Sequence, residues 1–322
     1  MKTIDTSKSS PTIKTDNSLS RMIVFPRLHF FSLDLSEYIG ILKHGSFGMS
    51  LKDFPISITC NTNTDADIIR INGDSKRYEL DNKVDFDKLR SKINSTQHFH
   101  IEVEMPDNIQ EHTGIGISTQ VVGGIYLLCA KHCGIDLSIN DLFDIGVGHV
   151  STLGLNLLFN QGLIIENGVS YKNSIEKPVN VITKIDNFPF WIIVAIPKNN
   201  QSLSSKFEDD FWKSILPEDA DITKSVYREF YGECLPAIVE KDFNSFAISI
   251  NKIVRLGSKA KEEEIQKQET KDLLGQLRIV FGCAGVSSLG PTAYSFSDKD
   301  PTKIIETINN EHYNFYVIKN DE

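Results

Sequence analysis

A basic excess is the first thing missing from this chain: 34 Lys and Arg stand against 43 Asp and Glu in 322 residues, giving a net charge of −9. So acidic a chain has no broad cationic face for nucleic acid or an anionic membrane, both of which need one. Long apolar runs are missing too. The stretches 121–130 and 191–197 fall well short of the roughly 20 residues that cross a bilayer. Cysteine is scarce and odd in number, with Cys60, Cys129, Cys133, Cys234 and Cys283 scattered along the chain, so a disulfide framework is excluded and a reducing cytoplasm is the expected location. Cys129 and Cys133 flank His132 and read either as core thiols or as part of a metal site, but no second ligand pair accompanies them. Residues 1–20 are polar and lack the apolar centre of a secretory signal, which predicts a disordered leader. No Gly-Lys-[Ser/Thr] ending and no Gly-x-Gly-x-x-Gly fingerprint occurs beside a strand, which disfavours a conventional P-loop ATPase or a dinucleotide site.

What is present is a soluble globular composition, 40% hydrophobic and 24% charged, in a chain long enough for two packed lobes or one large domain. Strand patterns cover 22–35, 56–60, 68–71 and 99–105; in the last, Phe99, Ile101, Val103 and Met105 alternate with His100, Glu102 and Glu104. An apolar helix is predicted over 121–133. A second one, over 140–147, would be capped by Ser138. A strand over 157–166 with a turn at Asn167-Gly168 follows, then a strongly apolar strand within 188–197. The span 207–281 has helical periodicity, and its charged stretch 259–271 reads as a solvated helix face. A short helix over 302–308 and a strand over 313–318 close an α+β chain. The expected units are a leader at 1–20, an N-terminal lobe at 21–187 and a C-terminal lobe at 188–322.

Two glycine-rich loops bearing hydroxyls carry the chemistry. The first, His112-Thr113-Gly114-Ile115-Gly116-Ile117-Ser118-Thr119-Gln120, runs directly into the apolar helix, so its N–H groups lie at a helix N-terminus, where an anion is favoured. The second is Ala284-Gly285-Val286-Ser287-Ser288-Leu289-Gly290-Pro291-Thr292. Glycine permits close ligand approach and the serines add donors, so the loops are either an anion site or structural turns.

With Arg27-Leu28-His29-Phe30 and Leu33-Asp34-Leu35, the two loops resemble the β-ribofuranosylaminobenzene 5′-phosphate synthase family of the GHMP kinase superfamily. Gly146-Val147-Gly148-His149-Val150-Ser151-Thr152-Leu153-Gly154 resembles that family's glycine- and serine-bearing segment. The chain differs from the family's usual residues at Phe31, Ile117, Ser118, Val147, Val286 and Leu289. The resemblance implies a two-lobed GHMP-kinase-like fold, with a ribosomal-protein-S5-like α/β lobe followed by a helix-rich α+β lobe. It implies a pentosyltransferase of methanopterin biosynthesis, joining phosphoribosyl pyrophosphate to 4-amino- or 4-hydroxybenzoate with loss of carbon dioxide and pyrophosphate. A homodimer, in the cytoplasm and with magnesium as cofactor, is implied with it. The alternative within the superfamily is an ATP-dependent small-molecule kinase.

In that reading Gly114, Gly116, Ser118, Thr119 and Gln120, with His112 beside them, bind phosphate, and Ser287, Ser288 and Gly290 close the cleft from the other lobe. Arg27, His29 and Asp34 are the implied catalytic residues. Arg27 would pair with a phosphate or the aryl carboxylate, or else form a structural ion pair with Asp34. His29 shares the strand face of Arg27 and is either a proton carrier or a satisfied structural histidine. His112 would orient a ligand oxygen or lie at the surface. Asp34 would hold magnesium or cap a turn.

Overall fold

The computed structural model describes residues 13–16, 19–36, 42–62, 64–72, 83–149, 151–172, 175–178, 181–198, 205–308 and 311–319. In chain order the elements begin with β1 (Ile13–Asp16), β2 (Leu19–Val24), β3 (Arg27–Ser32), β4 (Leu42–Ser50), β5 (Ile56–Asn61), β6 (Ile68–Asn72), α1 (Phe86–Ile93) and β7 (His100–Glu104). There follow α2 (Ile117–His132), α3 (Ile139–Asp144), α4 (Thr152–Phe159), β8 (Leu163–Lys172), β9 (Ile175–Pro178), β10 (Val181–Ile185) and β11 (Trp191–Pro197). Helices α5 (Ser205–Ile215) and α6 (Ala220–Glu229) lead through a π-helical turn, Phe230–Cys234, into α7 (Leu235–Glu240), α8 (Phe243–Ile253), α9 (Gly257–Glu264) and α10 (Gln268–Phe281). The chain ends with β12 (Ala284–Val286), β13 (Ala293–Ser297), α11 (Thr302–Ile305) and β14 (Tyr313–Lys319).

Three sheets result: β1-β2-β5-β7-β6, β10-β8-β4-β3 with β9 beside β8, and β12-β13-β11-β14. Every pairing is antiparallel except β6 with β7. The pattern at 22–35, expected as one strand, is divided at Phe25-Pro26 into β2 of the first sheet and β3 of the second. Proline has no N–H for a ladder, so the chain leaves one sheet there and enters the next. Helix α2 packs on the first sheet so closely that a Cβ on Gly124 would sit 2.7 Å from Ile58 and 2.8 Å from Val24.

Several other expectations are corrected. The expected leader already contains β1, paired with β2 from Ile13↔Met22 to Asp16↔Leu19, so order begins before residue 20; residues 1–12 lie outside the described residues, as does Val150. Residues 157–159 end helix α4, because Leu153, Leu155, Leu157 and Leu158 bury on several sides of it. Asn167-Gly168 is no turn: it continues β8, where Gly168 pairs with His44. The helix after Ser138 forms as expected, with Ser138 and Asp141 exchanging the two bonds of a capping box.

The charged stretch 259–271 is only partly solvated. Lys261, Glu264, Lys267 and Glu269 face water, but Lys259 and Glu262 are 3% and 0% exposed, because α9 turns that side onto β12. Among the described residues no group of three His, Cys, Asp or Glu gathers to hold a metal. His132 bonds the hydroxyls of Ser20 and Thr62 through its two ring nitrogens.

The expected boundary between residues 187 and 188 precedes the third sheet, yet one apolar core runs through it. Phe30 of β3 packs against Phe47 of β4 and against Tyr294 and Phe296 of β13, with ring centroids 5.0–5.2 Å apart. The Tyr294 hydroxyl donates to the Phe30 carbonyl at 2.8 Å. Truncating Phe30→Ala should therefore lower the stability of the whole chain by about 3–5 kcal/mol in a single denaturant transition. Two transitions, with only one displaced, would show that the halves unfold separately.

Candidate active site

The first glycine loop is held against β3 by a hydrogen bond from the Arg27 N–H to the Ile115 carbonyl, 2.7 Å long. Gly114 and Gly116 have φ of +89° and +61°, a region in which side chains are strained. Space is also short: a Cβ would lie 2.1 Å from the Ser287 carbonyl oxygen at Gly114 and 2.6 Å from the Arg27 side chain at Gly116. Gly116 occupies the N-cap of α2 and so supplies no side-chain cap, and the first turn has no acidic residue. Gly116, Ile117, Ser118 and Thr119 line a cavity of about 530 Å³. The positive end of a 16-residue helix is thus presented to that cavity, with the buried Glu111 carboxylate accepting the Ser118 hydroxyl of its first turn.

The second loop is bonded to the first rather than facing it across the cavity. The Ser287 hydroxyl accepts the His29 N–H at 3.0 Å and donates to the Gly114 carbonyl at 2.8 Å. The Thr292 N–H donates to the Thr113 carbonyl at 3.0 Å. Ser287 is completely buried, and the Gly290 N–H is used in a turn back to the Ser287 carbonyl. Neither lines the cavity, where they were expected: both build the loop. Ser288 and Leu289 do reach the cavity.

Among the other expected site residues, Arg27, His29 and His112 line the cavity, while Gln120 and Asp34 do not. Gln120 points into the packing between α2 and α4, where its amide donates to the Gly154 carbonyl at 2.6 Å. Asp34 accepts the N–H and hydroxyl of Ser36 at 2.9 and 2.7 Å. It forms a turn with Ser36 and makes no ion pair with Arg27. Arg27 instead donates to the Gly114 carbonyl at 3.2 Å.

Burial pulls the Arg27 guanidinium down to about 10, an effect opposed by Glu208 and Glu262. It stays cationic at neutral pH. His29 is held well below its ordinary value by burial, with the cations Arg27 and Lys259 adding to the effect. It is a neutral imidazole, and its Nδ1 has no partner among the described residues. His112 is raised by its hydrogen bond to Glu208, 3.3 Å away, which favours the protonated ring.

Several cavity residues carried no signal in the sequence. Lys83 bonds Ser118 at 3.0 Å and Glu111 at 3.2 Å, placing an ammonium beside the first turn of α2. Glu208, Asp209, Trp212 and Lys213 come from α5, and Leu35 and Leu216 add apolar surface. Behind the second loop, Lys259 donates to the Val286 carbonyl at 2.6 Å and pairs with Glu262, while the Gln266 amide donates to the Leu289 carbonyl at 2.8 Å. Burial lowers the Lys259 ammonium and raises the Glu262 carboxyl, and their mutual attraction opposes both effects. A helical signal did exist: residues 259, 262, 266, 270, 273 and 277 are all buried at spacings of three or four.

This architecture is that of the GHMP kinases. The Streptococcus pneumoniae phosphomevalonate kinase superposes with a TM-score of 0.66 at 10% identity, over 94% of this chain and 99% of that one. The mevalonate kinase of Methanococcus jannaschii does so with a TM-score of 0.60 at 11% identity, over 97% and 99%.

In sequence, the chain is similar to a β-ribofuranosylphenol 5′-phosphate synthase of Methanocaldococcus jannaschii. They are 27% identical over 296 residues, covering 85% of this chain and 88% of the relative. It is also 27% identical to the enzyme of the same name from Methanothermobacter thermautotrophicus, over 86% of this chain and 88% of that protein. No protein-family model matches. The resemblance carried by the motif blocks thus extends along most of the chain.

The two serines should separate cleanly. Ser287→Ala leaves the His29 N–H and Gly114 carbonyl without their buried partner and should cost about 1–3 kcal/mol. Ser288→Ala should change stability by less than about 0.5 kcal/mol. Denaturant titrations of both variants check this; equal losses would contradict the assignment of Ser287 as the loop's internal staple.

Proposed function

We propose that this chain condenses phosphoribosyl pyrophosphate with 4-hydroxy- or 4-aminobenzoate, releasing pyrophosphate and carbon dioxide and forming a carbon–carbon bond. The observation that carries the reading is the cavity itself: an uncapped helix N-terminus flanked by Arg27 and Lys83, in a chain similar to β-ribofuranosylphenol 5′-phosphate synthases along 85% of its length. In this reading the pyrophosphate lies on the N–H groups of Gly116 to Thr119. The two cations stabilise its growing charge as it leaves. The arene lies against Leu35, Trp212 and Leu216, where an apolar wall suits a ring. The neutral His29 offers a hydrogen bond to the sugar or carboxylate without adding positive charge beside a developing ribosyl cation.

Magnesium fits this wall, since such ions bind phosphorylated substrates through few protein carboxylates. Glu208 and Asp209 line the cavity and would hold an ion carried on the pyrophosphate, neutralising charge on the leaving group. The kinase alternative shares the phosphate cradle, but the sequence relatives favour the synthase. The cytoplasmic location and the homodimer are part of the proposal; sedimentation equilibrium tests the latter.

Purified protein given phosphoribosyl pyrophosphate, magnesium and carboxyl-labelled 4-hydroxy- or 4-aminobenzoate should release labelled carbon dioxide. Folded protein inert with both arenes would overturn the assignment. Thermal shifts should be larger with phosphoribosyl pyrophosphate than with ATP; the reverse order would favour a kinase. Gly116→Asp puts a side chain onto Arg27 and an anion into the cradle, and should weaken pyrophosphate binding at least about 100-fold by calorimetric titration. Unchanged affinity would place the anion elsewhere.

A further inference from the structure

Glu166 is completely buried in β8, in the second sheet. Its Oε2 accepts the Thr152 hydroxyl at 2.7 Å and the Gly168 N–H at 2.6 Å, and the Ser46 hydroxyl also bonds its carboxyl group. Ser46 lies directly across from Glu166 on β4, and Ser32 lies directly across from Ser46 on β3. Directly opposed side chains share one face of a sheet about 5 Å apart. Ser46 and Ser32 both line the cavity, and Ser32 Oγ is 3.5 Å from His29 Nε2. A polar row therefore leads from the cavity wall into the sheet and ends at a carboxyl group with no contact with bulk water. Leu35, on the wall where the arene is placed, follows Ser32 in the same segment.

We propose that Glu166 holds the proton exchanged with the ring substituent of the arene, acting through the Ser46 hydroxyl. The proposal rests on the synthase reading and deepens it. With a phenolic substrate, the ring O–H gives its proton to Ser46 as Ser46 passes its own to the Glu166 carboxylate. The ring carbon bearing the carboxylate bonds to C1′ of the ribose while the C1′–O bond to pyrophosphate breaks. The bond from that ring carbon to the carboxylate then breaks, carbon dioxide leaves, and the electron pair restores the aromatic ring. The proton returns from Glu166 through Ser46 to the phenolate oxygen.

Burial pushes the Glu166 carboxyl up to about 7, against the hydrogen bonds from Thr152, Gly168 and Ser46 that favour its ionised form. Both protonation states are therefore populated near neutrality, as a proton carrier requires. Among the described residues no cation contributes to this shift. From the helical side, Tyr227 is the titratable group whose own value the Glu166 charge raises, after burial, Asp34 and Tyr231; from α4 the neighbours are Thr152 and Asn156, both uncharged.

The pH profile of turnover with 4-hydroxybenzoate tests the relay. Wild-type kcat should rise with pH through about 7, because the carboxylate form accepts the first proton. Glu166→Gln and Ser46→Ala should each lose that limb and fall about 100-fold near neutrality, and Ser46→Thr should restore it. A second readout needs no turnover. A carboxyl raised by folding stabilises the protein fully below its unfolded value, and that stability is lost as pH rises towards the folded value. Wild type measured against Glu166→Gln should thus lose relative thermal stability from about pH 4.5 to about pH 7. An unaltered kinetic limb in both variants overturns the relay and leaves the synthase reading intact; wild-type protein inert with both arenes overturns both. A flat stability difference across that pH range also overturns the relay, since Glu166 would then not titrate there.

Discussion

The Ser287 hydroxyl is the constraint on which the site depends. It accepts from the backbone of β3 and donates to the first glycine loop, and its own backbone belongs to the second loop. Three segments remote in sequence therefore meet at one oxygen that is shielded from water. Because buried N–H and C=O groups are costly when unpaired, this meeting is specified strongly. Its consequences reach outward. β3 is fixed relative to α2, so Arg27 lies beside the helix N-terminus, and the chain after Ser287 turns so that Ser288 reaches the cavity. Gly114 has to be glycine for the same reason, since the Ser287 carbonyl occupies the space of any side chain there.

Behind this staple stands a second support with a different energetic character. Lys259 and Glu262 are an ion pair taken wholly out of water, an arrangement whose desolvation cost often matches its attraction. Its effect is better read as positional. The ammonium fixes the Val286 carbonyl and the Gln266 amide fixes the Leu289 carbonyl, so the two ends of the 286–289 turn are tied to α9 and to the link that follows it. The same ammonium helps keep His29 neutral, while Glu262 opposes the effect of burial on Arg27. One buried pair thus shapes a loop and adds smaller electrostatic effects at two cavity residues whose protonation burial governs first.

What could be read from the sequence and what could not divide along chemical lines. Glycine loops and the Ser138 cap announce themselves because backbone geometry restricts which residues can occupy them. The direction in which a polar side chain points is not announced. Ser287 and Ser288 are identical in type and adjacent, yet one bonds backbone and the other faces the cavity; Gln120 and Asp34 likewise satisfy backbone groups that no local pattern reveals. Lys259 and Glu262 were hidden by the charged residues around them, although their spacing continues the buried stripe of Leu273 and Leu277. Lys83 lies in a stretch with no periodicity, and Glu208 lies within the helical span, where nothing sets it apart from its acidic neighbours Asp209 and Asp210.

The departures from the family's usual residues take on meaning once placed. Phe31 packs its ring against Phe47 and Phe230 at 5.5 and 5.2 Å, and Val147 and Val286 are buried. None of the three lines the cavity, so these exchanges belong to packing. At Val286 the atom that matters is the carbonyl held by Lys259, which any residue would supply. Leu289, Ile117 and Ser118 do reach the cavity, but the first two contribute apolar surface or backbone, and Ser118 is already engaged with Lys83. The cradle for an anion consists chiefly of main-chain N–H groups, a helix dipole and Arg27, none of which depends on the exchanged side chains. This explains how the proposed phosphate-holding wall can tolerate exchanges at neighbouring residues. The groups that decide the chemistry should then lie on the other wall, where the serine row of the second sheet meets the apolar surface of Leu35, Trp212 and Leu216.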